Sequence, residues 1–190
     1  MPAMSLIAAP PGVIWKRLTE PWELDQVYRL NHRTFAEEIP QHAERPDRRL
    51  VDARLADSIA FVALAEERVV GMVAVCSKRP FSLDSKVPDL DSYLPHHVRA
   101  CEVRLLCVEP ERRQGAVFGG LLGCVIEYGR SEGVDLAVIS GTERQAKLYR
   151  HLGFQAFGPP IGTPEAPYRA MYVTWDDLTP SAKKLGEGAP

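Results

Sequence analysis

Between Cys101 and Leu122 the chain reads CEVRLLCVEPERRQGAVFGGLL, and its character changes three times. Val103, Leu105, Leu106, Cys107 and Val108 make an apolar run that first alternates and then becomes continuous, the pattern of a buried strand. Glu109-Pro110 ends it, because proline donates no ladder hydrogen bond and restricts the residue before it. Arg112, Arg113, Gln114, Gly115 and Ala116 then form a basic turn with small residues. From Val117 onward, Leu121, Leu122, Val125 and Ile126 recur at helical spacing. A strand, a small-residue turn and a helix start aim free backbone N–H groups and the positive helix end outward. That chemistry suits a phosphate or pyrophosphate. Many βα turns carry Gly and Arg without a ligand, and neither GxxxxGK[ST] nor GxGxxG is present, so the turn alone leaves both readings open.

Few other side chains stand at spacings that specify chemistry. Cys76, Cys101 and Cys107 lie in strand-like runs and Cys124 in a helical one, with no C-x-x-C pair, so they read as buried thiols rather than disulfides or ligands. A cysteine nucleophile served by one of the five histidines is the alternative. His96-His97 lacks a carboxylate or third histidine at ligand spacing, and no metal is expected. Arg112-Arg113 has no interleaved aromatics, and a net charge of -2 gives no reason to expect nucleic acid. Arg79, in the segment RPFSLD, can fork a substrate carboxylate or pair with Asp84 inside its own loop.

The elements that must position these residues follow from periodicity. At 190 residues, 45% hydrophobic and 25% charged, the chain has the size and composition of one globular domain, expected over residues 13–178 with flexible ends at 1–12 and 179–190. Val13–Arg17 reads as a strand and Leu24–Phe35 as an amphipathic helix. The arginine-rich segment 41–54 reads as a solvated loop. Ile59–Ala65 and Val69–Val75 form a hairpin, in which Gly71 marks a bulge or a close backbone approach. Residues 78–99 are a long irregular insertion, of a length that is often functional. The central strand, turn and helix follow. Then come a strand over Val134–Ile139, a helix ending at Leu152, a short strand after Gly153, a Pro/Gly-rich excursion over 158–167, and a last strand over Arg169–Trp175. The order predicts an α/β (α+β) fold with a mixed sheet of six to seven strands, locally parallel in the middle. No apolar run reaches the length of a membrane span, and the N-terminus lacks a basic-plus-apolar signal, so a cytoplasmic protein is expected.

Two stretches carry a family resemblance. Val108-x-Pro110-x-x-Arg113-x-Gly115-Ala116 resembles the acyl-CoA-binding motif of the GNAT superfamily (GCN5-related N-acetyltransferases), and Ala146-x-Leu148-Tyr149-x-x-Leu152-Gly153-Phe154 resembles the motif that follows it there. The resemblance implies a central sheet whose middle strands splay, with helices on both faces. It implies a donor pantetheine arm along Leu106, Cys107 and Val108, and a pyrophosphate on the backbone of Arg113, Gln114, Gly115, Ala116, Val117, Phe118 and Gly119. Small residues are usual at 116 and 118, so Phe118 is a departure that would hold a phosphate further off. Tyr149 matches the residue that protonates the leaving thiolate, its plain alternative being helix packing beside Leu148 and Leu152. Glu102 is the candidate base for the acceptor amine, or else a strand-end charge paired with Arg104. The resemblance thus implies an acyltransferase that moves an acyl group, first of all acetyl, from acyl-CoA to a small-molecule amine, with a homodimer as a common assembly. A second, shorter resemblance runs over Tyr28–Glu38, with Glu102-x-Arg104, to the autoinducer-synthase and N-acyl amino acid synthase branch. That branch implies longer acyl chains, carried by acyl carrier protein or CoA; the candidate substrate-binding residues are Phe35, Glu38, Arg79 and Arg104. Phe35, Phe81 and Phe118 could then line an acyl channel, or simply pack in the core. A third alternative is a GNAT-like module that binds acyl-CoA without turnover.

Overall fold

The computed structural model describes residues 12–113 and 115–187. Its sheet is built from β1 (Val13–Arg17), β2 (Ile59–Ala65), β3 (Arg68–Cys76), β4 (Ala100–Val108), β5 (Leu136–Thr142), β6 (Gln155–Thr163) and β7 (Ala166–Thr174). The strands stand in the order β1-β2-β3-β4-β5-β7-β6, and every neighbouring pair is antiparallel except β4–β5. The helices are α1 (Pro21–His32), α2 (Ala116–Ser131), α3 (Ala146–Leu152) and α4 (Pro180–Gly186). This is the mixed α/β sheet, parallel at its centre, that the order of elements implied.

Period-two alternation decides which helix covers which face. Ala63, Val73 and Val75 pack with Val117, Leu121 and Val125 of α2. Their neighbours Val62, Leu64, Met72 and Ala74 turn to the other face and pack with Val27 and Leu30 of α1. Strand β3 is therefore buried on both sides from Val69 to Cys76, which is why it reads as a continuous apolar run. At Gly71 both sequence expectations are met. Pairing slips by one residue after Ala63↔Gly71, and a Cβ there would lie 3.0 Å from Leu121 Cδ1 and 3.2 Å from the Cys107 carbonyl.

Helix α1 begins earlier than its apolar periodicity suggests, at Pro21, whose fixed φ suits a first helical position. Burial alone would raise the Glu23 carboxyl, but Lys16 at 2.6 Å and the N–H groups of Glu20 and Thr19 outweigh it and hold the pKa below the usual value. After His32 the helix widens into a π-turn over Arg33–Glu38 instead of running on as α-helix to Phe35.

The insertion 78–99 contains two 3₁₀ turns, Ser82–Ser85 and Leu90–Tyr93, and serves as a cover for the second half of the sheet. Phe81, Leu83, Val87 and Leu90 are buried against Leu136, Val138 and Ala170. The opposite face of β5 and β7 is covered by α3, α4 and the far side of α2 around Ile139, Met171 and Val173. Strand β6 continues through the Pro/Gly-rich stretch expected as an excursion, because it is the edge strand and its bulge between Phe157 and Ile161 accommodates Pro159 and Pro160. The expected flexible end from residue 179 is corrected as well. Thr179 caps α4 through Ala182 N–H at 3.3 Å, and Ala182 is fully buried in the cluster that includes Ile126 of α2. The expected tail at 1–12 lies outside the described residues except for Gly12. Among the described residues no helix is long and apolar enough to cross a membrane.

Helix α3 ends at Gly153, where φ is 108° and a Cβ would stand 2.2 Å from the Asp177 carbonyl oxygen. Gly153→Ala adds backbone strain and a backbone collision together, and should destabilise the fold by about 2–5 kcal/mol. Urea unfolding measures it; a midpoint equal to that of the wild type would contradict this packing.

Candidate active site

Strands β4 and β5 are joined only at Ala100↔Leu136, Cys101↔Ala137 and Glu102↔Val138. Beyond that point each keeps its outer partner, β4 to β3 as far as Val108↔Gly71 and β5 to β7 as far as Thr142↔Tyr168. A wedge opens between them, and the inner edge of β4 from Val103 to Val108 has no strand partner. Within this stretch Arg104 pairs Ala74 and Cys107 pairs Met72, so Leu105 and Leu106 stand opposite the single residue Val73. Leu105 accommodates this bulge at φ 54°. The extra residue resets the alternation: Leu105 and Cys107 join the α1-side cluster, while Leu106 and Val108 join the α2-side cluster. An unpaired strand edge offers N–H and C=O groups to an extended, amide-containing chain.

The first turn of α2 faces the same opening. Its N-cap, Gly115, has φ 113° and supplies no side-chain cap, so the N–H groups of Ala116, Val117 and Phe118 lack intrahelical acceptors. Gln114 lies outside the described residues. The Phe118 ring packs into the apolar clusters beneath the helix rather than over these amides. Trp15 of β1 donates from Nε1 to the Val117 carbonyl at 3.3 Å, with its indole seated at Gly120. Arg113 and Glu38, expected to serve donor and acceptor separately, are ion-paired to each other, and Arg113 Nε also donates to the Val108 carbonyl at 2.9 Å.

On the β5 wall stands Tyr149 of α3. Its ring presses on Gly141, where a Cβ would come within 3.0 Å, and meets Phe154 edge-on at 5.8 Å. The hydroxyl lies 3.4 Å from Gln145 Oε1. Burial pushes its pKa up to about 12, so the phenol holds its proton at neutral pH.

The α1 side of β4 carries a connected set of charges. Glu102 is buried, not exposed as a strand-end charge would be, and its carboxylate accepts from Ser82 N–H (2.8 Å), Ser82 Oγ (2.6 Å) and Leu83 N–H (3.1 Å). Arg104 Nε sits 3.4 Å from that carboxylate, and its Nη1 and Nη2 donate to the two oxygens of Asp52 at 2.9 and 2.7 Å. Asp52 went unremarked in the sequence, inside the arginine-rich loop, since no spacing signal links residues so far apart. Lys86 of the insertion lies 5.2 Å from the Tyr168 ring centroid. Arg79 is held within its own loop by Asp84 and Asp91 and stacks 4.3 Å over Phe81. Phe35, Phe81 and Phe118 belong to different apolar clusters and form no common channel wall. The Cys101 and Cys107 thiols are pushed up to about 12, and Cys124 to about 11, by burial, which removes them as nucleophiles. Among the described residues no group of three His, Cys, Asp or Glu side chains is placed to hold a metal.

Tyr149 gives this site a pH signature. Because its folded-state pKa lies above the unfolded value near 10, the unfolded chain releases the phenolic proton first. The stability tied to the neutral ring is intact below about pH 10 and is lost as pH rises toward about 12. Tyr149→Phe should lose less stability than the wild type between pH 9 and 11, seen as a shallower fall in urea midpoint. Parallel curves would contradict the buried phenol.

A family model described as N-acyl amino acid synthase FeeM matches residues 26–175. Among solved structures, the CoA-dependent acyl-homoserine lactone synthase BjaI, bound to SAM and isopentyl-CoA, is 27% identical, with 88% of this chain and 82% of that chain covered and a TM-score of 0.65. FeeM from uncultured soil microbes is 17% identical over 92% of this chain and 99% of its own, with a TM-score of 0.69. An aminoglycoside 6'-N-acetyltransferase complexed with coenzyme A is 15% identical over 85% and 96%, with a TM-score of 0.61. No curated protein matches this chain in sequence. The fold is thus that of the GNAT superfamily, and the shorter of the two sequence resemblances names the nearer branch. The protein is an acyltransferase and belongs to the FeeM N-acyl amino acid synthase family.

Proposed function

We propose that this enzyme transfers an acyl chain longer than acetyl from a CoA thioester to the amino group of a small amino-acid-derived acceptor, forming an amide. The observation that carries this reading is the wedge between β4 and β5, with an unpaired strand edge on one wall, a protonated phenol on the other and uncapped amides at its mouth. A pantetheine arm contains two amides and can pair with the free edge at Leu106 to Val108. The pyrophosphate then falls to the N–H groups of Ala116, Val117 and Phe118. The amine lone pair forms the C–N bond, the C–S bond breaks, Tyr149 gives its proton to the departing thiolate, and the excess N–H proton of the new amide returns to the Tyr149 oxygen, leaving an amide and a free thiol. The Asp52–Arg104 pair orients a zwitterionic acceptor, while Glu102, with its lone pairs already occupied, holds Arg104 and the insertion in place. The 27% identity to an enzyme whose structure holds isopentyl-CoA favours a CoA-linked, non-acetyl donor over acetyl-CoA. Acyl carrier protein is the second donor reading, supported by the family match.

Thermal melts with free CoA, acetyl-CoA and acyl-CoAs of rising length test the donor. A bound ligand at a hundred times its Kd adds about 2.7 kcal/mol, and the shift should grow beyond acetyl. Thiol release is then followed with free amino acids and SAM as acceptors, and with acyl carrier protein as the alternative donor. Tyr149→Phe should lower turnover about 100-fold while keeping the melt shift. Absence of acylated amine with every donor and acceptor would refute the reading.

A further inference from the structure

Val108 ends the unpaired edge of β4, and its carbonyl is already taken. The Glu109 N–H, in the same trans peptide unit, donates to the Val70 carbonyl of β3 at 2.9 Å, so the Val108 C=O points the opposite way, into the wedge. There Arg113 Nε donates to it at 2.9 Å. The same guanidinium is ion-paired through Nη2 with Glu38, the last residue of the π-turn after α1. The other Glu38 oxygen lies 3.5 Å from Arg33 Nε, and Arg33 Nη2 lies 3.6 Å from Glu111. A capped strand carbonyl and a row of alternating charges thus stand just upstream of the uncapped N–H groups of Ala116, Val117 and Phe118.

We infer that the Glu38–Arg113 pair is a latch on the donor strand, opened by the phosphates of the arriving donor, an inference that rests on the CoA-thioester reading above. Both members of the pair conflict with a bound donor. An amide N–H of the pantetheine arm needs the Val108 carbonyl that Arg113 occupies, and the Glu38 carboxylate repels phosphates arriving at the start of α2. A diphosphate offers the guanidinium more negative charge than a single carboxylate does. When Arg113 turns to it, Val108 is freed for the arm, and Glu38 keeps Arg33, so no carboxylate is left alone. An arm without phosphates has nothing to exchange for the guanidinium and must displace it unaided. The latch therefore selects donors by the charge at the far end of the arm, whatever acyl group they carry.

NMR titrations of wild type, Arg113→Gln and Glu38→Gln with free CoA and with pantetheine, which has the arm and no phosphate, test the latch. Arg113→Gln should bind CoA about tenfold more weakly, having lost a charge-assisted contact. The same variant should bind pantetheine about fivefold more tightly, because the Val108 carbonyl is open and no half-exposed ion pair has to be broken. Glu38→Gln should tighten both ligands about fivefold, with the shorter Glu38→Asp falling between it and the wild type. A residue that only touches phosphate would leave pantetheine binding unchanged in Arg113→Gln, and a merely structural pair would weaken both ligands in both variants. Either result overturns the latch and leaves the CoA reading standing. A wild type that binds no CoA overturns both.

Discussion

One buried carboxylate, that of Glu102, ties together three parts of the molecule that are far apart in sequence. Its backbone makes the last pairing between β4 and β5. Its oxygens receive the backbone of Ser82 and Leu83 and so dock the insertion, and through Arg104 it reaches Asp52 in the loop before β2. Such a group is stable only when every lone pair is satisfied, because an unmatched charge in the interior costs several kcal/mol. The geometry of the α1 side of β4 is therefore all-or-none. If Ser82 and Leu83 are seated, Arg104 is aimed and Asp52 follows; if they are not, a buried anion stands alone.

The same arrangement separates two chemistries by the two sides of one strand. The inner edge of β4 is backbone, neutral and directional, suited to the repeating amides of a carrier arm. Its α1 face is charged and side-chain-built, suited to a small polar acceptor. The bulge at Leu105 divides them, since the residues before it, Glu102 and Arg104, carry the charges, and those after it continue toward the helix start. On the reading proposed above, the donor's thioester and the incoming amine would thus use different sides of β4 without competing for contacts.

Much of this was legible in the sequence, for reasons that differ by element. Strands β1 and β2 are bounded correctly because of hard stops at both ends, and Gly71 announced its close contact because a glycine inside a strand run marks a place where a Cβ would press on its neighbours, here Leu121 and Val117. Gly115 and Val117 marked the start of α2 by composition alone. The prolines of β6 hid a strand, because whether a proline is tolerated depends on being at the sheet edge, which is a tertiary fact. The insertion read as irregular, and its four buried apolar anchors declare themselves only once a sheet face exists to receive them. Glu102 stood out by its type and place; its partners in space, Ser82 and Leu83, are about twenty residues away and could not be read beside it. Asp52 carried no signal at all, since it matters only through a guanidinium 52 residues further along the chain.

The three-pair junction between β4 and β5 has a mechanical consequence. It joins a four-stranded half-sheet to a three-stranded one, and each half is fully paired within itself. No inter-strand bond sets the width of the opening beyond it; that falls to α2, which seats Val117, Leu121 and Val125 on the first half and Leu122 and Ile126 on the second, so one helix gauges the gap between the walls.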